Sequence, residues 1–224
     1  MAEKKSITTT GATKKRPRML PAQVELFVAD ITDWPVKDDL ASMEFPIFSL
    51  ASGDTSIREY VNRSNGRKIR VIPSSTGSAT VFDKDVLIFA ASQIVEAHRM
   101  GRPISRTVAL DSFNFLQSTM RSTGGKAYIH ILDTLRRLKG TFLETDIPTG
   151  GRTKTKSFGL IEDYEITRTT AKGVVSEVNV TLAEWFFDAI LSFEMLTLDK
   201  NYFLLDKSLE RRFYELGVVS EFGI

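Results

Sequence analysis

The chain has 224 residues, 42% of them hydrophobic, which is enough for a buried core in one large domain or two small ones. No apolar run approaches the roughly 20 residues a membrane helix needs, and the basic start is not followed by an apolar signal core, so neither membrane insertion nor export is expected. The absence of cysteine excludes disulfides, thiolate metal sites and cysteine nucleophiles, and fits a reducing cytoplasm.

The formal net charge of +2 conceals an uneven distribution. Residues 1–20 hold six basic side chains against Glu3, which leaves the remainder slightly acidic. Within that remainder, residues 121–156 hold eight basic side chains against Asp133, Glu144 and Asp146. A local basic patch on an acidic body is the electrostatic footprint of a polyanion binder.

In chain order, residues 1–22 are rich in Lys, Thr, Gly and Pro and are expected to form a disordered basic arm, with a globular domain over 23–224. Residues 23–50 carry scattered apolar side chains broken by Pro35 and Pro46, so they are expected to pack without a long element of their own. Ile57–Val61 and Lys68–Ile72 suit two short strands around an Asn65-Gly66 turn. Asp83 stands where it would cap a helix with Val86, Leu87, Ala90, Ala91, Ile94 and Val95 at three-and-four spacing, ended by Gly101 and Pro103. His98, in its last turn, suits a cation at a helix end.

Two further helices are expected over 111–120 and 125–139, joined by Arg121-Ser122-Thr123-Gly124-Gly125, a short turn of the helix-turn-helix kind in which Gly124 would take positive φ. Strands follow at Thr141–Ile147, Phe158–Thr169 and Val174–Leu182, the first two joined by a basic turn over 148–157 and the last two by Ala171-Lys172-Gly173. Helical patterns close the chain at 183–192 and 206–217.

Helix, helix, tight turn, helix and basic hairpin is the order of a winged helix, and the fold class expected is α+β: a winged helix-turn-helix domain with a small antiparallel sheet. If Tyr128, Ile131, Leu132, Leu135 and Leu138 of the third helix face inward, then Lys126, His130, Asp133, Thr134 and Arg137 face out, where base edges would be read. The candidate DNA-binding set is therefore Arg121 and Thr123 from the turn, Lys126, His130, Thr134, Arg137 and Lys139 from the helix, and Arg152, Lys154 and Lys156 from the wing. Arg121, Lys139, Arg152, Lys154 and Lys156 would supply phosphate contacts. Arg136, Arg137 and Lys139 also suit a solvated helix end that complements the macrodipole. No phosphate-binding glycine loop follows from Gly125-Lys126, because Ala127 stands where Ser or Thr is needed. No His/Glu metal motif is present either, and neither a cofactor nor a catalytic step is expected.

Several ordered blocks resemble the replication initiator protein A family of plasmid initiators. They are Ser42-Met43-Glu44-Phe45-Pro46-Ile47-Phe48, Phe82-Asp83-Lys84-Asp85-Val86-Leu87-Ile88, Gly101-Arg102-Pro103-Ile104-Ser105-Arg106-Thr107-Val108, Arg121-Ser122-Thr123-Gly124-Gly125, Phe158-Gly159-Leu160-Ile161, Leu196 to Phe203, and Leu209-Glu210-Arg211-Arg212-Phe213-Tyr214-Glu215-Leu216. The resemblance covers residues 40–217 and none of its blocks is a catalytic site. It implies a plasmid-associated cytoplasmic initiator that binds double-stranded origin repeats, helps open the duplex and recruits host initiator and helicase. It further implies dimers that repress their own promoter, and two winged-helix domains, of which this chain holds the first. A purely regulatory repressor using the same surface, and a dimerisation module that hardly touches DNA, are the alternatives.

Overall fold

The computed structural model describes residues 26–61, 68–149, 152–168 and 175–221. In chain order these form β1 (Leu26–Ala29), β2 (Val36–Asp39), α1 (Leu40–Glu44), β3 (Arg58–Val61), β4 (Lys68–Ile72), α2 (Asp85–Arg99), β5 (Thr107–Leu110), α3 (Ser112–Ser118) and α4 (Gly125–Gly140). There follow β6 (Phe142–Thr149), β7 (Arg152–Gly159), β8 (Ile161–Arg168), β9 (Val175–Leu182), α5 (Glu184–Leu191), β10 (Met195–Leu198), a 3-10 turn over Lys200–Leu204, and α6 (Ser208–Glu221). The architecture is α+β. The expected basic arm, the Asn65-Gly66 turn and the 171–173 turn lie outside the described residues.

Three sheets replace the single small antiparallel sheet that the pattern suggested. One has the order β1-β5-β9-β8, with β1 parallel to β5 and the other pairs antiparallel; a second pairs β10 with β2; the third, β3-β4-β6-β7, is antiparallel throughout. The reason is β5: the run Thr107-Val108-Ala109-Leu110 is too short to stand out by alternation, yet it pairs with β9 on one side and β1 on the other.

Around these sheets lies one core. α2 is buried on nearly every side, so its three-and-four stripe understates its position: it is the central helix, and Ile88, Ala90 and Ala91 are as inaccessible as Val86 and Leu87. Phe89 meets Trp34 edge-on at 5.4 Å and Phe115 at 5.5 Å, tying the segment before β2 and α3 to it. α3 starts at Asp111, whose carboxylate accepts from the Asn114 amide at 2.7 Å, the helix start its Asp/Ser pair promised.

Three local expectations are corrected. Asp83 does not cap α2: the residue preceding that helix makes no side-chain cap bond, and the Asp83 carboxylate turns toward Thr80 and α4. Gly124 takes ordinary extended backbone (φ −70°), and the left-handed residue of the turn is Met120 (φ 56°), directly after α3. The strand expected over 158–169 breaks at Leu160 into β7 and β8, which belong to different sheets. There a Cβ on Gly159 would sit 2.8 Å from the Ile161 carbonyl oxygen, so only glycine fits the corner.

Candidate nucleic-acid interface

α4 follows α3 across a short turn and presents a long accessible face. Ile131, Leu135 and Leu138 enter the core, as their spacing requires. Thr134 joins them: it is 3% exposed, and its hydroxyl donates to Asp83 Oδ1 at 2.7 Å. Its assignment to the outer face is therefore corrected, because a hydroxyl enters a core at little cost when a buried carboxylate accepts from it. Lys126, Ile129, His130 and Arg136 are exposed, with Asp133 half-exposed between them and 3.2 Å from Arg136. This stripe at three-and-four spacing is the face α4 offers to a partner.

Arg137 lies at the edge of that face. Its Nε and Nη2 donate to Asp83 Oδ2 and Oδ1 at 2.8 and 2.7 Å, a two-pronged pair that leaves the side chain 21% exposed. The hydrogen bond from Arg137 to Asp83, against some burial, raises the Arg137 pKa above the usual guanidinium range. Arg121 is held likewise, by Asp85 Oδ2 at 2.8 Å and the Phe82 carbonyl, with its guanidinium 5.8 Å above the Phe115 ring. Arg121, expected to contact phosphate, and Arg137, expected on the outer face, thus both have internal partners. Together with His130, Met120 and Leu50 they line a cleft of about 460 Å³ between α4 and the loop leading to α6.

The remaining candidates separate. Thr123 is exposed in the turn just before α4. Lys139 is exposed at the far end and lies 3.6 Å from Asp163 of β8, a solvent-screened pair. Lys156 is exposed on β7, where it lines another hollow with Trp185, Glu162 and Asp188. The residues expected to form a basic loop over 152–156 are strand instead, paired in register with 145–149 of β6. Arg152 and Lys154 belong to that strand by backbone, and their side chains lie outside the described residues. Ile129 and Arg136 were missed as face residues. The signal for them was present: 126, 129, 133 and 136 recur at helical spacing once Thr134 is placed inside.

Residues 37–218 match the model of the family described as "Replication initiator protein A". The chain belongs to that family. A protein of Wigglesworthia glossinidia brevipalpis, named for replication, is 34% identical over 197 residues, which cover 86% of this chain and 71% of that protein. Among solved structures, domains 2 and 3 of RctB align with a TM-score of 0.50 at 16% identity, over 73% of this chain and 68% of that one, a likeness of fold.

In this replication initiator five of the seven blocks that carry the family resemblance meet at the start of α2, where Asp83, Lys84 and Asp85 tie α4, β2, α6 and the turn before α4 together. Asp83 grips α4 through Thr134 and Arg137. Lys84, wholly buried, lies 2.5 Å from Asp38 of β2 and 3.1 Å from Glu215 of α6. Asp85 joins Arg211 of α6 at 2.5 Å and Arg121 before α4. Glu215 also accepts from the Tyr202 hydroxyl at 2.8 Å and pairs with Arg212, whose guanidinium reaches the Met43 carbonyl at 2.6 Å. Burial alone would lower the Lys84 pKa, but Asp38, Glu215 and Asp39 overcome it and raise it. Burial pushes the Asp38 carboxyl well up, opposed by Lys84 and reinforced by Glu215 and Asp39. Among the described residues no group of acids and histidines could hold a metal ion, and no helix is long and apolar enough to cross a membrane.

Proposed function

We propose that this initiator acts by binding double-stranded origin DNA, with α4 entering the major groove, and performs no chemical step of its own. The observation that carries the proposal is the accessible face of α4: Lys126, His130, Asp133 and Arg136 line it, and Thr123 stands at the end where a helix following a tight turn meets base edges. The order α2, β5, α3, α4, β8, β9, with β9 pairing both β5 and β8, is the order of a winged helix and supports that fold. It favours the β8–β9 hairpin as the wing beside the recognition helix. The β6–β7 hairpin, the wing first expected from its basic residues, is on this view an insertion that extends the β3–β4 sheet and supplies further phosphate contacts through Lys154 and Lys156.

Lys126, Arg136 and Lys139 contribute affinity without sequence preference, and His130 with Thr123 contributes the hydrogen-bonding pattern that discriminates bases. Arg121, Thr134 and Arg137 act from behind, holding α4 and its turn at a fixed angle. The partners that fit this role are origin repeats, a second copy of the chain, and the host initiator and helicase.

Fluorescence anisotropy on the replicon's own origin fragment, against a shuffled duplex of equal length, tests the proposal. We expect a preference of at least about a hundredfold for the origin, lost when Lys126, His130 and Arg136 are all changed to Ala. Equal affinity for both duplexes, or full preference in the triple variant, would overturn it.

A further inference from the structure

The cleft between α4 and the loop leading to α6 has a volume of about 460 Å³, within the range of roughly 300–1,000 Å³ in which proteins hold small molecules. Among the described residues, three guanidinium groups border it, those of Arg121, Arg137 and Arg211. The carboxylates that hold them are two: Asp83 serves Arg137, and Asp85 is shared between Arg121 and Arg211. One positive charge beside the cleft is thus left without a counter-charge in this frame. Two of the three groups also have donors to give. Arg137 commits Nε and Nη2 to Asp83, and Arg121 commits Nη2 to Asp85 and the Phe82 carbonyl. Among the described residues, Nη1 of each and Nε of Arg121 meet no acceptor, and the two side chains stay 21% and 23% exposed. The buried carboxylates fix both groups before any ligand arrives, so little ordering cost is left for binding.

The lining shows what fits. His130 adds an imidazole to the two guanidinium groups, and three donor groups converging from a turn and a helix suit an anion with several acceptor oxygens, as a phosphate ester has. The rest of the cleft is not shaped for a bare phosphate. Leu50, Met120 and Leu205 supply apolar wall, and Asp206, exposed on the loop side, supplies an acceptor. Met120 stands there against its backbone preference. It takes φ 56° directly after α3, while the Arg121 amide closes on the Leu116 carbonyl at 2.8 Å, a helix ending that glycine ordinarily makes. The methionine is 59% exposed, so packing within the chain does not call for it, whereas an apolar ring lying in the cleft does.

We infer that the cleft binds a free nucleoside phosphate, with its phosphate on Arg121, Arg137 and His130, its base against Met120 and Leu50, and an amino group of the base donating to Asp206. The nucleotide is held as a ligand, with no bond made or broken. The inference does not depend on the DNA-binding proposal.

Isothermal titration calorimetry on the full chain tests it, with AMP, CMP, GMP, UMP, adenosine and inorganic phosphate as probes. We expect one site per chain, at which at least one of AMP, CMP and GMP binds about tenfold or more tighter than UMP, which lacks the amino group, and than adenosine or inorganic phosphate. Arg121→Lys keeps the charge and loses the planar fork, and should weaken that binding by about tenfold. Met120→Gly separates a structural role from a binding role: it should raise the melting temperature by relieving the backbone, and weaken nucleotide binding. No binding of any nucleotide up to about 5 mM overturns the inference, as does inorganic phosphate bound as tightly as every nucleotide, or an affinity indifferent to the Arg121 and Met120 changes. The variant with Lys126 and Arg136 both changed to Ala should bind the nucleotide as the wild type does, so the two proposals fail separately. A duplex that displaces the nucleotide from this variant would itself supply the phosphate in the cleft, and overturns the inference in favour of the DNA backbone.

Discussion

Asp83 joins the segment before α2 to α4. It accepts from the Thr80 amide and hydroxyl, from Thr134 and twice from Arg137, so its carboxylate is fully partnered although it is almost wholly buried. Replacing it with Ala removes one member of a largely buried pair and leaves the Arg137 guanidinium and Thr134 hydroxyl unsatisfied. The Asp83→Ala chain should lose on the order of 3 kcal/mol of stability in a urea titration. Asp38 makes a second prediction, in pH. Its folded-state carboxyl is raised well above the ordinary 3.8, chiefly by burial. The folded chain therefore holds this proton more tightly than the unfolded one. The corresponding stability is fully present below the ordinary value and is lost as pH rises through the raised one. Measured as the difference in unfolding midpoint between the wild type and Asp38→Asn, the wild type should lose ground as pH rises across that interval. At this scale the sequence is a partial guide. Apolar positions such as Ile131, Leu135 and Leu138 announce their burial, whereas Thr134, Arg121 and Arg137 have the polarity of surface groups. Polarity alone does not reveal a buried acceptor 36 to 54 residues away in the chain.

At the scale of elements, α2 and α3 are legible because each joins an apolar period to a signal, Gly101 and Pro103 at the end of α2 and Asp111 at the start of α3, and α4 is legible by its period alone. The strands are less so. β5 is four residues long and is a strand only by virtue of its pairing, and β7 carries Arg152, Lys154 and Lys156, whose charge suggests a loop. Nothing in the alternation of Phe158 to Thr169 marks the break at Leu160; the glycine before it is the available sign. That corner makes a third prediction. Gly159→Val would drive a branched side chain into the Ile161 carbonyl and disturb the Gly159 carbonyl that accepts from Trp185 Nε1 at 2.9 Å. We expect a loss of about 2 kcal/mol, read by thermal unfolding, with the two sheets it joins losing protection together in hydrogen exchange.

For the molecule as a whole, five of the seven family blocks form one device. Residues 42–48, 82–88, 121–125, 196–203 and 209–216 are dispersed in sequence and converge on the charges at the start of α2. They form a charged frame that ties α4 and α6 to the start of α2, and on the proposed function base recognition falls to side chains outside that frame, on α4. The salt dependence of origin binding tests this division most directly. Measured as log Kd against log salt concentration, the slope should shrink by roughly two units when Lys126 and Arg136 are both changed to Ala, at about 0.9 for each phosphate no longer neutralised. In Arg137→Gln, at temperatures where that chain remains folded, the slope should stay as in the wild type. An unchanged slope in the first variant, with a reduced slope in the second, would contradict the account and move the DNA-binding surface from the α4 face into the neighbouring cleft.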